Sequence, residues 1–434
     1  MTDIHTQFID LSELRLGMFV YLDVGWMEHP FPVSHFKISH PSQIDTLRSL
    51  GLQRIRYSPD KSDLPRAAVT PSLDQDTNTH DLADAQKVEE SEQERATRLR
   101  RDLLIKQAAS LQVCEKQFTS AAQTFRQIGD HMHAQPEVAR AMTEQLIHNF
   151  LGQILGEDEA AIRLLSEKAG EKSSLHSINV TVISLLLGKA LKLDKTDMLH
   201  LGIGSLLHDI GKLELPDRLR WSDEQFSYAE KQIFHEHVSH SVTLGKSMGL
   251  PASALLLIAQ HHENIDGSGY PSRLKGDKLT PISRIAALVN FYDNLCNPAN
   301  PALAITPHEA LSQLFTVYKA RFHEPTLTAF IRMMGIYPPG SVVQLTDDRY
   351  ALVVSVNSAR PIKPKVIIHD PAYPREEALI INLEQEKQLG IRRSLKPLQL
   401  PKAAYDYLSP RKRLCYFFER GLEVNTHFEA EGSP

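Results

Sequence analysis

A chain of 434 residues is too long for one ordinary hydrophobic core and predicts two or three domains. Its 42% apolar and 23% charged residues describe a folded globular protein, and a net charge of −5 with no block of like charge excludes unaided capture of long nucleic acid or of an anionic membrane. No basic-then-apolar leader opens the sequence, no apolar run reaches the ~18–20 residues of a spanning helix, and Cys114, Cys296 and Cys415 are few and far apart, so a cytoplasmic protein with no membrane insertion, disulfide frame or thiolate zinc site is expected.

Residues 1–62 read as a small α+β domain. FIDLSELRLGMFVYLDV gives a strand with a turn at Gly17, PFPVSHFKIS a second extended piece, SQIDTLRSLG a short helix and LQRIRYS a last strand. Residues 63–84, rich in Pro, Thr, Asp and Asn without periodicity, read as a linker. A long helix over 85–135 follows, with Leu104, Ala108, Leu111, Cys114, Phe118, Ala121, Phe125 and Ile128 on one face. Two uses of that face stay open: a signalling or dimerising coiled coil, giving a homodimer through 85–131, or lengthwise packing on the chain's own neighbours. Residues 136–337 form a succession of amphipathic or apolar helices that stop at Gly, Pro or Asp/Asn clusters. Residues 338–434 change grammar. SVVQLTD, YALVVSVN, PKVIIHD and EALIINLE are β-branched at short spacing and predict a β-rich C-terminal extension, and the last thirty residues carry no readable pattern. The expected fold is mainly α: an all-helical central domain, a small α/β N-terminal domain and a small β-rich extension.

Histidine is the unusual component. Of twenty, eight fall between His176 and His262. His208 and Asp209 are adjacent at the end of an apolar helix in SLLHDIGKLELP, so their side chains diverge by ~100° and reach one ion from two sides, with a second carboxylate oxygen left for another. Lys212, four residues after His208, falls on the same helical face, where it can meet a phosphate oxygen. His176 opens an upstream helix, His237 lies in FHEHVSHS, and His261 and His262 are consecutive after ASALLLIAQ. Buried imidazoles and carboxylates need partners, and a metal ion serves several at once. Nitrogen and oxygen donors without thiolates suit iron, manganese or zinc.

HDIGK at 208–212 and HHENIDGSGYP at 261–271 resemble the two signatures of the HD-GYP family, a branch of the HD-domain phosphohydrolases, and the likeness spans roughly 168–335. The N-terminal unit, with LRLGMFV and Trp26, is similar to a small domain of unknown function that precedes HD-GYP domains in bacterial signalling proteins. The resemblance implies an all-helical HD-type domain, a centre of two divalent cations (iron or manganese), and hydrolysis of cyclic di-GMP to pGpG and/or GMP. It implies metal ligation by His176, His208, Asp209, His237, His261 and His262, with Asp209 as the bridge, and a grip on the scissile phosphate by Lys212. Gly267, Gly269, Tyr270 and Pro271 match the loop of the family's name, which implies substrate contact and docking of a signalling partner.

The sequence also departs from the family pattern. Asn290 stands where a later helix usually carries an aspartate ligand; its neutral amide can still ligate, and Asp293 follows three residues on. Lys172 stands where three-metal members carry a glutamate, with Glu171 beside it, which leaves two cations rather than three. Ala299 and Ala302 replace the downstream arginine and lysine that grip the dinucleotide, leaving Arg273, Lys275 and Arg284 as candidates by nearness in sequence. These departures keep two alternatives open: a catalytically silent cyclic di-GMP-binding or docking protein, and an HD phosphohydrolase for another nucleotide.

Overall fold

The computed structural model describes residues 6–22, 35–49, 52, 54–63, 92–156, 160–166, 172–221, 225–357, 363–386 and 388–420. The chain divides into two units, Met1–Val88 and Glu89–Pro434. In the first, β1 (Gln7–Asp10), β2 (Phe19–Tyr21), β3 (His35–Lys37) and β4 (Arg54–Ser58) form an antiparallel sheet in the order β1-β4-β2-β3, with α1 (Pro41–Ser49) between β3 and β4 in the chain. Leu11, Leu14, Met18, Val20, Ile38, Leu47 and Ile55 make its core. Gly17, at φ +87°, lets the chain reverse while its N–H bonds the Ile38 carbonyl. Trp26, most of the expected linker and the expected start of the long helix lie outside the described residues.

The second unit opens with α2 (Glu92–His131) and α3 (Pro136–Ile154). Next come β5 (Ala160–Leu164), α4 (Lys172–Ala190), α5 (Lys195–Leu207), α6 (Tyr228–His235), α7 (His237–Ser247) and α8 (Ala252–Gln260). Then α9 (Pro281–Cys296), α10 (Pro307–Thr316) and α11 (Glu324–Met334) complete the helical part. The chain ends in β6 (Val342–Leu345), β7 (Tyr350–Asn357), β8 (Lys365–Ile368), β9 (Ile380–Asn382), β10 (Ile391–Leu395), α12 (Lys402–Leu408) and β11 (Tyr416–Arg420). Helix starts follow local chemistry: Asp194 caps α5 through the Asp197 N–H, Ser227 and Glu230 form a capping box on α6, and Thr280 with Pro281 opens α9.

The helical stretch contains a strand that helical periodicity hides. β5 lies between β7 and β11 in a sheet ordered β10-β6-β7-β5-β11, with β8 beside β7 and β9 beside β8. In register, Ile162 faces Phe418 on one side and Val356 on the other. The C-terminal strands therefore share one sheet with β5; one face of it, with Val342, Leu352 and Val354, joins the helical core, and the other, with Val343, Leu345 and Val353, makes a core of its own. Within the sheet Arg163 pairs with Glu419 at 3.2 Å, both buried, and Ser355 and Ser110 donate to the same carboxylate. Burial pushes Glu419 up, but Arg163 and Lys365 outweigh it and hold the carboxyl below its usual value.

The apolar face of α2 is spent within the chain, against α3, α4 and β11 of this sheet. Cys114 lies 3.2 Å from the Phe418 carbonyl and Phe118 meets the Phe417 ring edge-on. A dimer through this helix would have to use what stays exposed, Leu99, Ile105 and Val113. Among the described residues no helix is long and apolar enough to cross a membrane.

Candidate metal centre

Four short chain segments deliver the donors. His176 sits in the first turns of α4, His208 ends α5 with Asp209 next to it, His237 begins α7, and His261 ends α8 with His262 following. The turn after Asp209 can lie against α7 only because residue 211 is glycine. A Cβ there would fall 2.3 Å from both the His237 carbonyl oxygen and the Ser241 nitrogen. The Gly211 N–H is instead free to donate to Ser241 Oγ at 2.8 Å, which ties the His208–Asp209 turn to the helix that carries His237.

The donor atoms form two groups that share one carboxylate. Asp209 Oδ2 lies 3.5 Å from His176 Nε2 and 3.4 Å from His208 Nε2. Its Oδ1 lies 3.3 Å from His237 Nε2 and 3.6 Å from His261 Nε2. Within His176, His208 and Asp209, and within Asp209, His237, His261 and His262, the donor atoms all lie within 4.8 Å of one another. Donors ~2.1 Å from a common cation sit about 3 Å apart at right angles, so these separations fit one cation in each group.

Protonation states make the same case. His208, His237 and His261 each direct Nδ1 at a carbonyl three residues earlier, at 2.7, 2.5 and 2.7 Å. A carbonyl only accepts, so Nδ1 carries the hydrogen and Nε2 is left with a lone pair. Those lone pairs face one another, His208 to His176 at 3.2 Å and His237 to His261 at 3.4 Å. Burial pushes His208 down to about 4 and His237 to about 3, with Asp209 opposing, so both rings are neutral near pH 7. Burial also takes His262 well below its usual value. Asp209 is pushed up by burial, but Lys212 and His208 outweigh this and keep it ionised. Asp209 Oδ1 and His262 Nε2 are buried without a hydrogen-bond partner. Inward lone pairs, one carboxylate and buried polar atoms lacking a donor are what a cation site requires, and the residues present fit divalent metal.

Residues 151–322 match the family described as HD domain, and residues 6–143 match a domain of unknown function, DUF3391. The chain therefore carries a region similar to the HD domain, preceded by one similar to DUF3391. A cyclic di-GMP phosphodiesterase of Pseudomonas aeruginosa is 24% identical over 363 residues, covering 82% of this chain and 84% of that one. A 3′3′-cGAMP-specific phosphodiesterase of Vibrio cholerae is 32% identical over 129 residues, covering 29% of this chain and 24% of its own. Among solved structures, an HDG"Y"P protein from Bdellovibrio bacteriovorus aligns over 75% of this chain and 98% of that one, with 14% identity and a TM-score of 0.40. The match to the domain of unknown function runs through α2 into α3, beyond the small sheet of the first unit.

Within residues 151–322 the structure brings together His176, His208, Asp209, His237, His261 and His262. Lys212 stands beside them with Nζ 2.5 Å from Asp209 Oδ2 and over the Phe234 ring. Tyr270 stacks between His235, at 3.7 Å, and His262, at 4.5 Å. Gly269 lets its backbone rest on the His262–Asn264 backbone, where a Cβ would fall within about 2.5 Å of three atoms, and Gly267 adopts φ +83°. Other expected contacts are engaged elsewhere. Asn290 accepts from Asn294 Nδ2 at 2.9 Å and turns its own amide toward the His261 carbonyl, so its amide serves helix α9 and its neighbour α8. Arg284 donates to Asp277 and the Gly276 carbonyl, bracing the loop before α9, and Arg273 is exposed at φ +54°. Glu171 and the Lys172 side chain lie outside the described residues.

One working residue, Glu263, is not singled out by the sequence, and a second, Asp293, stands out there only by its place after Asn290 and takes a hydrogen-bonding role rather than a ligand's. Glu263, fully buried beside His262, accepts from the Ser272 and Leu274 N–H groups at 2.6 and 2.9 Å and so pins the loop that carries Tyr270. Asp293 accepts the His176 Nδ1–H at 2.6 Å, a carboxylate orienting a metal histidine from behind. The signal for Glu263 was its place within HHENIDGSGYP; for Asp293 it was the one-turn spacing from Asn290.

Proposed function

We propose that this protein is a metal-dependent phosphodiesterase that hydrolyses cyclic di-GMP to pGpG and/or GMP in bacterial second-messenger signalling. The observation that carries the reading is the division of one buried carboxylate, Asp209, between two groups of imidazoles. The 24% identity to the Pseudomonas phosphodiesterase over most of both chains supports the choice of substrate.

Two divalent cations, iron or manganese by this donor set, would be held by His176, His208 and Asp209 and by Asp209, His237, His261 and His262. Bound there, they supply Lewis acidity toward phosphoryl oxygens and make water a nucleophile near neutral pH. The chain's own groups do the rest. Asp209, kept ionised, offsets part of the added positive charge. Lys212, about one-fifth exposed, gives a charge-assisted hydrogen bond to the scissile phosphate. Burial, with Asp209 adding to it, keeps Tyr270 a neutral phenol, and its ring walls off the His262 side from water. A signalling partner would meet the molecule at the exposed Asp266 and Ser268 of the loop.

Manganese- or iron-loaded protein is expected to release linear dinucleotide from cyclic di-GMP, and His208→Ala to lose that activity. Identical behaviour of the two would overturn the proposal. The likeness to a 3′3′-cGAMP-specific enzyme, together with the engagement of Asn290 by its neighbours, favours one further comparison. A panel of cyclic dinucleotides, with tight binding but no turnover scored separately, distinguishes another substrate and a silent binding protein from the proposed enzyme.

A further inference from the structure

His176 is held differently from the other ligands. His208, His237 and His261 use the carbonyl of their own preceding turn, whereas His176 uses the carboxylate of Asp293, 117 residues away. Asp293 is fully buried, and its Oδ1 accepts from two side-chain amides, Asn179 Nδ2 and Asn297 Nδ2, both at 2.9 Å. Each amide makes its second donation to the same backbone atom, the Leu414 carbonyl, at 2.8 and 3.0 Å. Their oxygens accept from the backbone as well: Asn179 Oδ1 from Tyr416 N–H at 2.9 Å, Asn297 Oδ1 from Leu414 N–H at 2.8 Å. The amide orientations are thereby forced, since an N–H must meet oxygen, which turns both NH2 groups toward Asp293 and the Leu414 carbonyl.

We propose that Leu414–Tyr416, leading into β11, is a built-in part of the metal centre: through the Asn179–Asn297 clasp it positions Asp293, and through Asp293 it positions His176. The inference rests on the two-cation reading above. The clasp consumes the polar groups of both asparagines, so Asp293 has one available placement, and its Oδ2 fixes the His176 tautomer with Nε2 turned to the cation. The same segment continues into the strand on which α2 lies, through Cys114 with Phe418 and Ser110 with Glu419. A shift of α2 along β11 is thus transmitted to one side of the centre, the His176 side, while the His237 side stands on its own helix ends.

Asp293, Asn179 and Asn297 are positioning residues, and the paired sites provide an internal control. Manganese(II) titration followed by electron paramagnetic resonance is expected to show two bound ions in the full chain. Asp293→Asn is expected to weaken one of the two by about 10–100-fold, the range typical for loss of a histidine's orienting partner, and to leave the other within about twofold. Asn297→Ala, which keeps Asp293 but cuts its tie to Leu414, is expected to weaken the same ion in the same direction. Should Asn297→Ala not fold, Asn297→Asp retains the bond from Leu414 N–H while removing both donations, and the same selective loss is expected. Equal weakening at both sites, or none, overturns the clasp. Failure of the unmodified protein to bind two ions overturns the two-cation reading instead.

Discussion

The two halves of the metal centre are built on different principles. On the His237 side, His237 and His261 are each fixed by a carbonyl three residues earlier in the chain, Phe234 at the end of α6 and Ile258 in α8, so a short stretch of chain that folds correctly presents its imidazole without distant help. On the His176 side the imidazole depends on Asp293 of α9, two asparagines and the backbone at Leu414, brought together from three distant parts of the chain. A locally encoded ligand is robust and hard to regulate. A ligand set by long-range pairing is vulnerable, and can report on the element that sets it.

Several substitutions would break or sharpen that contrast. Asp209→Ala removes the carboxylate both halves share, so both cations and turnover should be lost, a larger effect than the ~10–100-fold of an orienting residue. Elemental analysis of purified protein beside a dinucleotide-release assay reads this directly. Glu263→Gln should leave both cations bound, because it touches only the loop. Trading a charged acceptor for an amide beside two N–H donors should cost the loop about 1.5–3 kcal/mol and appear as a raised KM with little change in manganese affinity. Arg163→Met is the control within β11's own sheet. It leaves the buried Glu419 to Lys365, 3.7 Å away and partly exposed, and should lower global stability by at most about 3–5 kcal/mol in denaturant unfolding, while the ratio of the two manganese affinities stays put.

Acid should act through the imidazoles. His208 and His237 are held at about 4 and about 3, below the ordinary 6.5, so folding favours their neutral forms. The stability they contribute is fully present above pH ~6.5 and is lost as pH falls toward 4. The thermal midpoint of metal-stripped protein should therefore drop between pH 7 and pH 5, and His208→Gln should flatten part of that slope.

What was legible in the sequence follows the same division. The HD pair, the double histidine and the glycine loop are contiguous, and their geometry is set by one or two turns of chain, so HDIGK and HHENIDGSGYP carried it. The lengthwise packing of α2 was readable as one of two uses of its apolar face. β5 was not, because Ala161–Leu164 are all buried and so show no alternation, and their partners lie far along the chain. Asn179 and Asn297 look like ordinary polar positions within helical runs. Their roles exist only once Leu414 is beside them, in the stretch of chain where sequence pattern offered nothing.

Anomalous diffraction from crystals of the manganese-loaded protein tests the central claim most directly. Two peaks flanking Asp209 are expected, one among His176 and His208 and one among His237, His261 and His262. Absence of manganese from that position, or a single peak with Asp209 turned away from it, would contradict the shared-carboxylate centre.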